Sequence, residues 1–188
     1  MSGPTAGTAT IGIAGCGTMG LPMAECLLAA GVDVWGHDVK NIDEFGNFAP
    51  RMIADAGDFA ARCDIVLSVV RDLRQTEDLC FGDQGILRRD RRPDLFVTCS
   101  TLSPRAVADL AARMPAGIDF ADAPMSGAPF RAARGTLTFM VGGAEATVER
   151  LMPLFQVMGD GIHHLGPVGA GMTCKVLNNF VGVVGVVA

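Results

Sequence analysis

The chain has 188 residues, 49% of them hydrophobic, and its formal net charge at pH 7 is −5. This much apolar material is enough for one buried core, which excludes an intrinsically disordered chain. The acidic balance, with arginines scattered along the chain, argues against nucleic acid as a partner.

An alternation of strand-like and helix-like segments begins near the N-terminus. Residues 10–14 are predicted to form a first strand, and residues 19–30 a helix that Gly31 ends. Residues 32–37 have the alternating apolar positions of a second strand. The nearly continuous apolar run at residues 64–70 is typical of a strand that is buried on both faces of a parallel sheet.

The same alternation continues in the second half of the chain. Residues 95–98 predict another strand, and Ser103 and Pro104 predict the N-cap and first position of the next helix. The remaining predicted elements are one helix and three strands, at residues 145–155, 117–122, 137–141 and 162–164. This order predicts an α/β fold with a doubly wound, mostly parallel sheet.

The chain shows no composition break before residue 169, so residues 1–168 are predicted to form one domain. Residues 169–188 turn helical and apolar and are predicted to be the start of a longer helix that is cut at the end of the chain. The apolar stretch at residues 180–188 is shorter than the ~20 residues that span a bilayer. Residues 1–10 lack the basic and apolar regions of a signal peptide, so neither a leader nor a membrane partner is expected.

The six cysteines show neither a CxxC pair nor a spacing of His and Cys that suits zinc. Several lie in apolar stretches, where a free cysteine behaves as a small hydrophobic residue. They are predicted to be reduced and structural, which indicates a cytoplasmic protein, and no metal site is expected.

Where the first strand ends and the first helix begins, the chain has a glycine-rich turn, Gly15-Cys16-Gly17-Thr18-Met19-Gly20. The first glycine permits a tight turn, the second lets a pyrophosphate approach the backbone, and the third lets the helix pack closely on the strand. The N–H groups and the positive dipole end of the helix complete an anion site. Glycine-rich turns are common, but this context predicts a Rossmann-type dinucleotide site.

Asp38 follows the second strand and is the acidic residue that such a site requires downstream of its glycines. Its carboxylate would accept hydrogen bonds from the ribose hydroxyls of the adenosine and would repel a 2′-phosphate, so NAD is favoured over NADP. Lys40, two residues later, argues for NADP instead, since its ammonium can pair with a 2′-phosphate. The alternative for Asp38 is an ordinary turn residue at a strand end.

Four segments together resemble the β-hydroxyacid dehydrogenases, a family related to the NAD-binding domain of 6-phosphogluconate dehydrogenase. They are residues 11–31 followed by 37–39, the turn CSTLSP at 99–104, DAPMSGA at 122–128 running on to GTLTFMVGG at 135–143, and GAGMTCKVLNN at 169–179. The resemblance implies that Thr101 lies near the nicotinamide, and Val70 is assigned to the cofactor site as well. It also implies a helical C-terminal domain, absent from this chain, which covers the substrate and forms a homodimer.

Lys175 and Asn179 are four residues apart, so on a helix they share one face and can converge on one substrate oxygen. Oxidation of an alcohol needs a base for the hydroxyl proton, and a lysine against a cofactor and apolar walls has a suitably lowered pKa. The resemblance implies the same assignment, with Lys175 as acid/base and Asn179 orienting the substrate. In isolation, Lys175 would be interpreted as a surface lysine.

The turn at Ser126 and Gly127 follows an apolar strand and offers neutral hydrogen bonds to a carboxylate. The resemblance implies that this segment binds the acid group of the substrate, an assignment carried to Ser126, Gly127 and Ala128. Ser126 as a residue that only closes a turn is the alternative. Asp122, four residues earlier, is expected to support its own turn.

Two residues depart from the family pattern. Ala128 stands where a second glycine is usual and is expected to strain any positive φ there. Arg131 either adds a cation near the substrate or points into solvent, and the second is favoured.

These residues predict NAD-dependent oxidation of a small 3-hydroxy acid, such as 3-hydroxyisobutyrate, to its semialdehyde. The same groups serve the reverse direction, so a reductase of tartronate or succinic semialdehyde is an alternative. An imine reductase is disfavoured because those relatives generally lack the lysine. A non-catalytic dinucleotide-binding module is the alternative from another class, and the short chain favours it. The expected partners are a small carboxylate substrate and a second copy of the chain, bound through the C-terminal helix.

Overall fold

The computed structural model describes residues 9–187 and contains two sheets. The central sheet has five parallel strands in the order β2-β1-β3-β4-β5, and a second sheet has the order β6-β7-β8. The prediction that residues 1–10 hold no signal peptide falls mostly outside the described residues. No helix within residues 9–187 is both long and apolar enough to cross a membrane.

The strands are β1 (Ile11–Ala14), β2 (Val34–His37), β3 (Ile65–Ser68), β4 (Leu95–Thr98), β5 (Asp119–Asp122), β6 (Met125–Ser126), β7 (Leu137–Val141) and β8 (Gly159–His164). The helices are α1 (Gly20–Ala29), α2 (Ala56–Arg62), α3 (Leu73–Phe81), α4 (Pro104–Ala112), α5 (Pro129–Ala133), α6 (Glu145–Met158) and α7 (Ala170–Val187). Two 3₁₀ segments, Ile42–Arg51 and Ile86–Arg88, complete the chain order.

Apolar side chains on both faces of the central strands form the core, because helices cover each face. One face carries Ile13, Leu67 and Val97, which pack with α1 and α6 in one buried cluster. The other face carries Val66 and Phe96, which pack with residues of α2, α3, α4 and α7 in a second cluster. This double coverage explains why β1, β3 and β4 are buried at every position.

The predicted α/β class with a mostly parallel sheet is confirmed. The strands predicted at residues 95–98 and 137–141 have the observed bounds, and the other predicted strands begin or end within three residues of them. The prediction missed α2 and α3, whose signals are the N-caps Asp55 and Asp72, each accepting a backbone N–H three residues later. It also missed the two-residue strand β6 and the short helix α5.

A crevice opens at the carboxyl edge of the central sheet, because the strand order changes direction there. The chain leaves β1 to one side to form β2 and crosses to the other side of β1 to form β3. Ligands of open α/β sheets bind at such switch points. The glycine turn follows β1 at this edge, and residues 69–71 and 99–101 follow β3 and β4 beside it.

Candidate cofactor and active site

The three glycines of the turn differ in the space around them. Gly15 has φ +91°, and a Cβ there would lie 2.8 Å from the carbonyl carbon of Val69. A Cβ on Gly20 would overlap the carbonyl oxygen of Gly15, so α1 packs on the turn only because that side chain is missing. A Cβ on Gly17 would meet no atom within 4 Å. The open space therefore lies at the second glycine, where a phosphate would approach.

Backbone hydrogen bonds hold the glycine turn between β2 and β3. The N–H of Gly15 donates to the carbonyl of His37 at 2.8 Å, and the N–H of Val69 donates to Ala14 at 2.7 Å. Helix α1 begins at Gly20 without a side-chain cap, which leaves its N-terminus to a ligand or to solvent. The thiol of Cys16 is buried, which raises its pKa to about 12, and it donates to the carbonyl of Ile13. Its side chain is structural.

One cavity of about 840 Å³ extends along the carboxyl edge from the glycine turn to α7. Ten residues assigned from the sequence line it: Gly15, Gly17, Thr18, Met19, Asp38, Val70, Thr101, Gly127, Lys175 and Asn179. Four others assigned from the sequence lie outside its lining, namely Cys16, Gly20, Ser126 and Ala128. The structure thus brings the predicted cofactor residues and the predicted catalytic pair into one space.

At the β2 end of this cavity, Asp38 is half-buried and its Oδ1 accepts the N–H of Lys40 at 3.1 Å. The carboxylate therefore closes a local turn and also faces the cavity. Sequence reasoning missed several neighbours that line the same wall, including Arg71, Arg74, His37 and Gln84. Arg71 and Arg74 lie just after β3, as residues at a switch point do, and this position is the signal that would have found them.

At the other end of the cavity, Lys175 lies in the second turn of α7 and is 9% exposed. Burial lowers the pKa of its ammonium below the ordinary value of 10.5. No ion pair joins Lys175 to another residue of the described range 9–187. Asn179 follows one turn later on α7. Nearby, the Oγ of Ser100 donates to the carbonyl of Val70 at 2.6 Å, and this hydrogen bond joins the segments that follow β4 and β3.

The expectation that Asp122 supports its own turn is wrong. Its carboxylate is fully buried and accepts two N–H groups of a distant segment, from Gly169 to Oδ1 and from Met172 to Oδ2, each at 2.6 Å. Burial raises the pKa of this carboxyl, and the hydrogen bonds to Gly169 and Met172 oppose that effect. The partners lie 47 and 50 residues away in the chain, so no local pattern predicts them.

The prediction of backbone strain at Ala128, in the turn after β6, is wrong. Gly127 takes the positive φ of +141° and lines the cavity, whereas Ala128 has φ −94° in an extended conformation. Ser126 pairs with Thr138 in the second sheet. Arg131 forms an ion pair with Asp160 at 3.3 Å and is absent from the cavity lining, as favoured from the sequence.

Comparisons with known proteins found a matching family and several similar proteins. Residues 10–166 match the family described as the NAD binding domain of 6-phosphogluconate dehydrogenase. An NAD-dependent L-serine dehydrogenase of Pseudomonas aeruginosa is 39% identical over 90% of this chain and 58% of that protein. A 2-hydroxy-3-oxopropionate reductase of Escherichia coli is 35% identical over 91% of this chain and 59% of that protein.

Among solved structures, the Mycobacterium tuberculosis 3-hydroxyisobutyrate dehydrogenase with L-serine superposes with a TM-score of 0.82 and 32% identity. The match covers 92% of this chain and 60% of that one. The chain thus matches only part of its relatives: it spans 58% of the length of the L-serine dehydrogenase and 59% of that of the 2-hydroxy-3-oxopropionate reductase.

Proposed function

The chain belongs to the family described as the NAD binding domain of 6-phosphogluconate dehydrogenase, and from that premise we propose that it is the cofactor-binding and lysine-bearing part of an NAD-dependent hydroxyacid dehydrogenase. The observation that carries the proposal is the single cavity that joins the glycine turn to Lys175. A module that only bound a dinucleotide would not need a nearly buried lysine at the far end of its cofactor cavity.

The residues of the glycine turn and of β2 fit NAD. The space at Gly17 and the uncapped start of α1 suit a pyrophosphate, and Asp38 at the end of β2 suits the ribose hydroxyls of the adenosine. The carboxylate of Asp38 would repel a 2′-phosphate, which favours NAD over NADP. When bound, NAD supplies the hydride acceptor.

Lys175 would act as the acid/base at the reacting oxygen. Burial lowers the pKa of its ammonium, which raises the fraction of neutral amine near neutral pH. That amine would take the hydroxyl proton during oxidation, and the ammonium would return a proton during reduction. Asn179, one turn later on the same face of α7, would orient the oxygen through its amide.

The substrate class follows from the turn at Gly127 together with the printed substrates of the relatives. L-Serine, 3-hydroxyisobutyrate and 2-hydroxy-3-oxopropionate each have a carboxylate and an oxygenated third carbon. The turn at Ser126, Gly127 and Ala128 would hold the carboxylate, with Gly127 facing the cavity. We therefore propose oxidation of a small 3-hydroxy acid such as 3-hydroxyisobutyrate. Reduction of tartronate or succinic semialdehyde uses the same groups in reverse.

The test is NADH formation with a panel of 3-hydroxy acids, measured by absorbance and accompanied by NAD binding in calorimetry. The matched pair is Lys175→Ala and Arg105→Ala, since Arg105 is an exposed cation on α4 outside the cavity lining. We expect Lys175→Ala to abolish turnover and to retain NAD binding, and Arg105→Ala to retain both. NAD binding with no turnover on any acid would favour the non-catalytic module.

We further propose that residues 1–168 form the dinucleotide-binding domain and that α7 joins a second copy of the chain. Several apolar side chains of α7 are exposed, among them Leu177 at 59% and Phe180 at 66%. Such a contiguous apolar surface is typical of an association site. Sedimentation velocity should show a dimer that Phe180→Glu converts to a monomer, and a monomeric parent chain would refute the dimer.

A further inference from the structure

The beginning of α7 is held by a carboxylate from the central sheet. Asp122 ends β5, and its two carboxylate oxygens accept the N–H groups of Gly169 and Met172 at 2.6 Å. Both oxygens act as acceptors of N–H groups, so the geometry fits the ionised form. Hydrogen bonds of this length to a charged acceptor are the strong kind.

The same junction is packed too closely to shift. Asp122 and Gly142 exchange both backbone hydrogen bonds, at 2.9 and 2.8 Å, which joins β5 to the end of β7. A Cβ on Gly142 would lie 2.9 Å from the N–H nitrogen of Gly171, and a Cβ on Gly171 would overlap the carbonyl of Met140. Sheet and helix therefore meet backbone against backbone, and Asp122 sets the height of α7 above the sheet.

A second contact orients α7 about its axis. Met172 is fully buried, and its sulfur accepts the N–H of Leu102 at 3.2 Å, in the turn that contains Thr101. Lys175 follows Met172 by three residues and so lies one turn further along the same side of α7. Asp122 and Leu102 both bind Met172, and Lys175 is the next residue along that side of α7.

We propose that Asp122 is a positioning residue for Lys175: its buried carboxylate fixes the start of α7 and thereby holds Lys175, one turn beyond Met172, at the end of the cavity. This inference rests on the proposed role of Lys175 as acid/base. Burial of Lys175 lowers the pKa of its ammonium, so a start of α7 that is held in place also keeps Lys175 in its buried position.

Other titratable groups lie near Asp122 and along the cavity of Lys175. Cys99, at the end of β4, stays a neutral thiol because burial, and after it the charge of Asp122, raise its pKa to about 12. The cavity adds two carboxylates and three cations, namely Asp38, Asp78, Lys40, Arg71 and Arg74.

The test is the titration of Lys175 in the chain and in Asp122→Asn, followed by NMR with labelled lysine. Only two lysines contribute signals, and the exposed Lys40 serves as an internal reference. The amide nitrogen is a donor and cannot accept the second N–H group, so the start of α7 should loosen and Lys175 should become less buried. We therefore expect the Lys175 midpoint to move to higher pH, towards 10.5. The matched control is Asp55→Asn, which alters the N-cap of α2 outside the cavity lining and should leave the Lys175 midpoint where it is.

Turnover gives a second readout on any substrate that the chain oxidises. We expect kcat/KM of Asp122→Asn to fall by about tenfold or more through kcat, with NAD affinity nearly unchanged. A variant that loses thermal stability but keeps the Lys175 midpoint would reduce Asp122 to a helix cap and overturn the proposal. A chain without turnover leaves the titration readable, so failure of the proposed function and failure of this inference are distinguishable.

A measurement on the unmodified chain protects the test against a variant that does not fold. The N–H groups of Gly169 and Met172, which donate to Asp122, should be protected from hydrogen exchange as strongly as those of the central strands. Exchange as fast as that of exposed loops would show that the start of α7 is not held and would overturn the proposal.

Discussion

At the glycine turn the cavity wall consists of four residues within one six-residue segment, whereas at the start of α7 it depends on a carboxylate 47 and 50 residues away from its partners. The first wall is shaped by what is missing, namely the side chains at Gly15, Gly17 and Gly20. The second is shaped by one charged group that is completely buried. A methyl group at Gly17 should therefore alter ligand access alone, whereas a methyl group at Gly20 or the loss of the Asp122 carboxylate should alter stability.

The largest effect should come from Gly20→Ala, which adds a Cβ where the carbonyl oxygen of Gly15 lies. Backbone cannot yield as a flexible side chain does, so we expect the free energy of unfolding to fall by about 3 kcal/mol. Urea denaturation measures this loss. Gly17→Ala is the matched control, because its Cβ meets no atom within 4 Å and its unfolding should be nearly unchanged. Equal stabilities of the two variants would contradict the packing role of Gly20.

The next largest effect is expected for Asp122→Ala, which leaves the N–H groups of Gly169 and Met172 buried without an acceptor. Unpaired buried groups of this kind should lower the free energy of unfolding by about 2–3 kcal/mol. The control is Asp55→Ala, an exposed N-cap whose removal should cost clearly less in the same urea titration. A loss no larger than that of Asp55→Ala would show that the buried cap is not needed for stability.

A smaller effect of opposite sign is expected for Lys175→Met. The folded chain disfavours the ammonium, so the charge lowers stability at neutral pH, and this cost fades as the pH rises through the lowered pKa towards 10.5. The methionine variant should be more stable than the parent by less than about 1 kcal/mol, because the ammonium keeps some solvent contact. Thermal unfolding from pH 6 to 10.5 checks this, and a difference that does not shrink with pH would argue against burial of the charge.

The smallest effect should come from Thr98→Val at the end of β4. The hydroxyl of Thr98 is fully buried and has no hydrogen-bond partner among the described residues. Exchange for a methyl group should be neutral or stabilise by up to about 1 kcal/mol, whereas Ser100→Ala should destabilise by about 1 kcal/mol because its hydroxyl donates to Val70. If Thr98→Val destabilises as much as Ser100→Ala in urea, the hydroxyl of Thr98 has a partner.

The contrast between the two walls also explains how much the sequence could predict. The glycine turn, Asp38 and the pair Lys175 and Asn179 are recognisable because their spacing along the chain is short, and the apolar runs between them predict the parallel sheet. The role of Asp122 depends on contacts between β5 and α7 that no local spacing encodes.

Two further differences between the sequence-based prediction and the structure have causes within a few residues of the chain. Ala128 is unstrained because Gly127, one residue earlier, takes the positive φ, and a sequence cannot show which residue of a turn does so. The helices α2 and α3 were missed because they are short and only partly apolar, although their aspartate N-caps are visible in the sequence.

The most direct test of the central claim, a cavity that binds NAD over Gly17 and ends at Lys175, is calorimetric titration of NAD into the chain and into Gly17→Ala. We predict one NAD per parent chain and an affinity at least about tenfold weaker in Gly17→Ala, because the added methyl group occupies the space that the pyrophosphate needs. The two proteins should unfold at the same temperature. Absence of NAD binding to the folded parent, or equal affinity in both, would contradict the claim.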